Sequence, residues 1–358
     1  MKRLLLLAAV AALTLSACHK NDTFISPTDP KIAYSGRIDM TDTTSLAFTF
    51  PGVAAEICFD APAVTMATTT AAGSFMVEID DRAPFKISVG ENDSIVCLAD
   101  SLPDGEHRLR VSYAMEGHDN HPAFRGFYLA DGGRLTRRPD EKKLKIEFIG
   151  NSITCGYGLE TDDPEEHFTY DTENHYYTYA AQTARNLNAD YNVVARSGIG
   201  VYRNYNGSRE GNDEMTMRDI YGRTLYDRPD PQWDFSRFTP DIVCLNLGTN
   251  DTSLDNYDTE LMTAAYRDMV SRIRKVYPDA RIVLLTGSML QGKALEDVKT
   301  MLDSIADDAR AQGDSGIYRF DMTPQDGTLG YGADWHPSRR QADKMAAELT
   351  GFLKTIID

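Results

Sequence analysis

Ile146-Glu147-Phe148-Ile149-Gly150-Asn151-Ser152-Ile153-Thr154 is the stretch on which the fold turns. The apolar run from Leu144 to Ile149 reads as a buried strand. Gly150 ends it, and the turn that follows presents Ser152 at the strand's C-terminal edge. In open α/β sheets that edge is where ligands bind. A serine hydroxyl is a weak nucleophile until a base takes its proton, so a histidine is needed elsewhere in the chain. Asp334-Trp335-His336-Pro337, near the far end, offers one. Between the two lie Ser197-Gly198 and Gly248-Thr249-Asn250-Asp251, each after an apolar run.

Outward from this stretch, strand and helix patterns alternate. Strands are expected over 144–149, 191–195, 242–247, 281–286 and 317–321, and helices over 176–187, 261–276, 294–311 and 338–357. Such alternation predicts a parallel sheet with helices on both faces. Two long irregular pieces, 159–175 and 202–238, are candidates for the walls of a cleft. Upstream, short β-like runs at 45–50, 54–59, 74–79, 85–89, 94–98 and 109–113 alternate with turn residues. They predict an antiparallel sandwich of jelly-roll type. The Gly-rich, then charged, then proline-broken piece around 131–140 marks the boundary. The expected organisation is a leader over 1–17, a tether over 18–31, the β-domain over 32–135, a linker over 136–143 and the α/β domain over 144–358.

The leader has Lys2-Arg3 as its charged start, Leu4 to Leu13 as its apolar run, and Leu15-Ser16-Ala17-Cys18 as its end. That tetrapeptide resembles a bacterial lipobox, which implies cleavage before Cys18, a lipid on its sulfur and a place in the bacterial envelope, periplasmic or outer-surface. His19 to Pro30 is polar and turn-rich, as a flexible tether would be. The net charge of −17 and the lack of a basic patch argue against nucleic acid as a partner and leave the lipid as the route to a membrane. Beyond Cys18, Cys58, Cys97, Cys155 and Cys244 show no metal spacing. Cys58 and Cys97 read as small buried hydrophobes, or as a disulfide in an oxidising compartment. His107, His118, His121, His167 and His175 do not fall at ligand spacings, and no metal or other cofactor is expected.

Ester hydrolysis by serine needs a nucleophile, a base and donors for the oxyanion. Gly150-Asn151-Ser152-Ile153-Thr154 resembles the Gly-Asp-Ser-Leu block of the SGNH (GDSL-type) hydrolases, with Asn151 in place of the aspartate. Gly198, Gly248-Thr249-Asn250-Asp251 and Asp334-Trp335-His336-Pro337 follow in family order. One departure stands out: SGNH hydrolases mostly carry Asp-x-x-His, whereas Ala333 stands three residues before His336. Asp-Trp-His-Pro behind a β-domain is similar to carbohydrate esterase family 2. The resemblance implies an α/β SGNH-hydrolase fold, a flavodoxin-like parallel sheet with helices on both faces, preceded by the jelly-roll-like sandwich. It further implies Ser152 as nucleophile and His336 as general base and acid, with the main-chain oxygen of Asp334 orienting the imidazole. The oxyanion hole would be the Ser152 amide, the Gly198 amide and the Asn250 side chain. Trp335, Tyr202, Tyr221 and Trp233 are aromatic candidates for a sugar platform. The implied substrate is an acetylated plant polysaccharide, xylan or glucomannan. A peptidoglycan O-acetyl group, a lipid ester and a non-catalytic glycan-binding role are the alternatives.

Overall fold

The computed structural model describes residues 21–211 and 215–357. The leader and Cys18 lie outside them. The C-terminal sheet is built from Leu144–Gly150, Ala189–Ala195, Ile242–Leu245, Arg281–Thr286 and Ile317–Asp321. Their spatial order is second, first, third, fourth, fifth, and every neighbouring pair is parallel. These strands are apolar runs because helices cover both faces. Tyr179–Asn186 and Arg339–Ile357 pack on one face, where Phe148, Val193, Met345 and Leu349 meet. Thr259–Val276 and Gly292–Ala311 pack on the other, around Leu245, Leu284 and Leu302.

Helix Thr259–Val276 shows why such segments form where they do. The Asp258 side chain accepts the Glu260 and Leu261 N–H groups and so caps it. Met262, Tyr266, Met269, Val270 and Ile273 then recur at helical spacing and are buried. Truncating Met269 to alanine would cost about 2–5 kcal/mol. In a sheet of this order the chain reverses direction between the first and third strands, and a crevice opens there. Ser152 follows the first strand and Asn250 the third.

The N-terminal part is an all-β sandwich of two antiparallel sheets. One contains Val64–Thr68, Ile95–Ala99 and Ala123–Leu129; the other contains Ala54–Asp60, Gly73–Ile79, Phe85–Val89 and His107–Tyr113. Phe48, Phe59, Phe75, Tyr113, Phe124 and Phe127 fill the space between them. Three expectations need correction. The tether over 18–31 is not free chain: Thr23–Ile25 is a strand paired with Phe127–Leu129, because Ala123–Leu129 offers an edge that its backbone can satisfy. The run over 45–50 is a strand only at Leu46–Ala47, since Pro51-Gly52 turns the chain toward the α/β domain, where Phe50 is buried. Cys97 is exposed, not buried. It lies in the opposite sheet from Cys58, and both are free thiols.

The two parts share a buried seam. Arg37, fully buried, donates to Glu147 Oε1 at 3.2 Å and to the Arg223 carbonyl at 2.8 Å. Among the described residues, no helix is long and apolar enough to cross a membrane.

Candidate active site

Gly150 ends its strand and Asn151 caps the four-residue helix Ser152–Cys155, its side chain accepting the Ile153 N–H. Glycine is required at 150, since a Cβ there would stand 2.0 Å from Thr154 Oγ1. The turn sets Ser152 Oγ 2.8 Å from His336 Nε2. The nucleophile and imidazole singled out from the sequence thus meet across 184 residues.

His336 is held from behind by main chain. Its Nδ1 lies 3.2 Å from the Ala333 carbonyl and 3.2 Å from that of Asp334. Both oxygens can accept the Nδ1–H, so the Asp334 carbonyl shares the task with Ala333. Asp334 and Trp335 both adopt left-handed backbone, φ 47° and 62°, an uncommon pair for non-glycine residues. The Asp334 carboxylate points elsewhere: it accepts from Tyr157 Oη at 2.6 Å, His167 Nδ1 at 2.9 Å and the Phe168 N–H at 3.1 Å. Burial works against its charge, but these bonds hold it below the usual carboxylate range. The ring of Tyr157 stacks on His336 with centroids 4.0 Å apart, and Phe168 stacks behind Tyr157 at 4.4 Å. Burial pushes the His336 pKa down to about 4, against the backbone acceptors that favour its protonation. The imidazole is therefore neutral, with its tautomer fixed by the carbonyls, and Nε2 is the acceptor facing the serine.

Strand register brings the residues expected at the oxyanion hole to one place. Gly150 pairs with Ala195 and Ile149 with Leu245. The turns carrying Ser152, Gly198 and Asn250 therefore leave one edge of the sheet together. Gly198 has φ 77°, and a Cβ there would meet nothing within 4 Å, so its open side faces space. Asn250 donates to the Ile199 carbonyl at 2.7 Å, which ties the two turns together and leaves its second amide hydrogen. Asp251 adds a second tie: Oδ1 accepts the Val201 and Tyr202 N–H groups at 2.8 Å each. Burial nonetheless lifts its pKa to about 6.

Of the four aromatic candidates, Trp335 is exposed at 51% and stands beside Tyr331. The other three are core, and the platform expectation for them is corrected. Tyr202 is 4% exposed and accepts the Asp258 N–H. Tyr221 is 3% exposed and its hydroxyl donates to Glu147 Oε2 at 2.8 Å. Trp233 is 5% exposed, and Arg37 lies over both its ring and that of Tyr221. Sequence reading missed Tyr157, although it follows the nucleophile by five residues and sits in the same block. It also missed Tyr205, 61% exposed, whose N–H donates to the Gly198 carbonyl. Among the described residues, the cluster with metal-type donors is Glu116, Cys155 and Glu173, all buried, with ligand atoms within 4.8 Å of one another.

A parallel sheet in this order, a serine after its first strand and a histidine before its last helix define a GDSL-like hydrolase. The chain matches the GDSL-like lipase/acylhydrolase family over residues 148–344 and the carbohydrate esterase 2 N-terminal family over residues 34–139. It belongs to carbohydrate esterase family 2, and with it to the carboxylic ester hydrolases. It is 30% identical over 353 residues to an acetylxylan esterase / glucomannan deacetylase of Cellvibrio japonicus, covering 96% of each. It is 36% identical over 327 residues to the cellulase/esterase CelE of Acetivibrio thermocellus, covering 91% of this chain but 39% of that protein. A family two carbohydrate esterase from Clostridium thermocellum, solved in complex with cellohexaose, superposes with TM-score 0.85 at 36% identity, covering 91% of this chain and 99% of that one.

Proposed function

We propose that this protein removes O-acetyl groups from plant cell-wall polysaccharide, xylan or glucomannan, through an acetyl-enzyme on Ser152. The observation that carries the reading is the 2.8 Å contact between His336 Nε2 and Ser152 Oγ, with Nδ1 held by two carbonyls. Ser152 Oγ attacks the acetyl carbon while His336 takes its proton. The carbonyl oxygen becomes an oxyanion, received by the Ser152 and Gly198 amides and the Asn250 side chain. As the C–O bond to the sugar breaks, His336 returns the proton to the sugar oxygen. Water, deprotonated by His336, then attacks the acetyl-enzyme, and acetate leaves as Ser152 recovers its proton.

Trp335 supplies an exposed ring beside His336 for the sugar. The relatives' names support a polysaccharide. Anchorage by a lipid on Cys18 in the bacterial envelope belongs to the same reading and rests on the leader sequence alone.

The test is acetate release from acetylated xylan, glucomannan and peptidoglycan, by the protein and by Ser152→Ala. Release from the plant polymers, lost in the variant, is expected. Equal release from the variant removes Ser152 from its role, and release from peptidoglycan alone overturns the substrate.

A further inference from the structure

We infer that Glu116, supplied by the β-sandwich, is a positioning residue for the oxyanion hole. The inference rests on the esterase reading above and deepens it. Glu116 follows strand His107–Tyr113 and is 3% exposed. Its Oε1 accepts the Ser197 N–H at 2.7 Å. Ser197 directly precedes Gly198, whose amide is the proposed oxyanion donor. A carboxylate from one domain thus fixes the peptide that leads into the donor of the other.

Glu116 is itself held in place. Its N–H donates to Glu173 Oε2 at 3.1 Å, and the Glu116 and Glu173 carboxyl oxygens lie with Cys155 Sγ within 4.8 Å of one another. Two carboxylates this close cannot both be ionised in a buried site. Burial, and then the neighbouring Glu116 charge, push the Glu173 pKa well above the usual range. Glu173 is therefore held toward its protonated form, while Glu116 Oε1 faces the Ser197 amide. Glu173 is anchored in turn by its own main chain, since Lys86 of the sandwich donates to the Glu173 carbonyl at 3.1 Å. Cys155, three residues after Ser152, closes the cluster, so the nucleophile turn, the oxyanion turn and the sandwich meet at one buried point.

Such a residue acts on the transition state alone. The Gly198 bond strengthens only as charge develops on the acyl oxygen, so loosening it lowers kcat and leaves KM unchanged. Two substitutions separate reach from charge. Glu116→Gln keeps an acceptor oxygen at the same distance from Ser197. Its amide can donate to a Glu173 oxygen in the same cluster. Glu116→Asp keeps the charge but withdraws the oxygen by one methylene.

With 4-nitrophenyl acetate, Glu116→Gln is expected to keep kcat within about 3-fold of the parent, while Glu116→Asp loses about 10-fold or more with KM within about 2-fold. Hydrogen exchange over the peptide containing Ser197 and Gly198 is expected to quicken in Glu116→Asp and not in Glu116→Gln. Full kcat in Glu116→Asp, an equal loss in both variants, or a rise in KM that accounts for the loss each overturns the inference. A parent protein with no Ser152-dependent esterase activity takes down the underlying reading as well, whereas an active parent indifferent to Glu116→Asp takes down this inference alone.

Discussion

His336 and His175 invite comparison. Burial pushes the pKa of each down to about 4. Each presents Nδ1 to main-chain oxygen: His175 lies 2.7 Å from the Thr154 carbonyl, His336 3.2 Å from two carbonyls. They differ at the other nitrogen. His336 Nε2 meets Ser152 Oγ, while His175 Nε2 is buried with no partner among the described residues and abuts Gly52 of the sandwich. A depressed pKa therefore reports only that an imidazole is dry. What faces its second nitrogen decides whether it is a base or a strut, and His175 is a strut under the turn that carries the nucleophile.

Substitution is the sharpest way to break this contrast. His336→Ala should lower kcat by at least about 10³-fold with little change in Tm. His175→Ala should cost about 2–4 kcal/mol in denaturant unfolding while activity per folded molecule stays within about 10-fold. A stably folded but inactive His175→Ala protein would erase the distinction. Asn250→Ala comes next. Loss of one oxyanion donor should reduce kcat about 10²–10³-fold, measured with 4-nitrophenyl acetate at saturating substrate.

Acid should act on both histidines, in different observables. Activity needs neutral His336, so the acid limb of kcat/KM should fall near pH 4 and not near the ordinary histidine value. Stability follows from linkage. Between the unfolded value of about 6.5 and the folded value of about 4, the unfolded chain binds protons that the native one does not. Stability therefore falls as pH drops through that window, by up to about 1.4 kcal/mol per pH unit for each such group. His175→Asn, which can keep the donor to Thr154, should flatten that slope without moving the acid limb of kcat/KM. The smallest effect is expected from Asp334→Asn. Its carboxylate never reaches the imidazole, so kcat should drop no more than about 3-fold, against about 10⁴-fold where an aspartate orients the histidine directly.

The Ser152, Gly198 and Asn250 blocks were legible because each sits directly after a strand and parallel register brings them to one edge, whereas His336 enters from the turn before the last helix. Gly198 and Asn250 needed no long-range information beyond that. The aromatics did need it. Tyr221 and Trp233 look like platform residues until Arg37, far earlier in the chain, is seen to lie over both rings. Spacing carries no such direction. Glu116 was invisible for the same reason, since it acts across the domain seam. In the sandwich, Ala123–Leu129 was missed because Gly126 and a register shift interrupt its alternation.

The pairing of Thr23–Ile25 with the sandwich would limit how far a lipid-anchored enzyme could stray. If Cys18 carries a lipid, four residues separate that anchor from Thr23, a leash of five Cα steps and at most about 18 Å. An enzyme so moored works within a molecule's breadth of the bilayer. It would trim oligosaccharides drawn up to the cell surface, not fibres standing off in the medium.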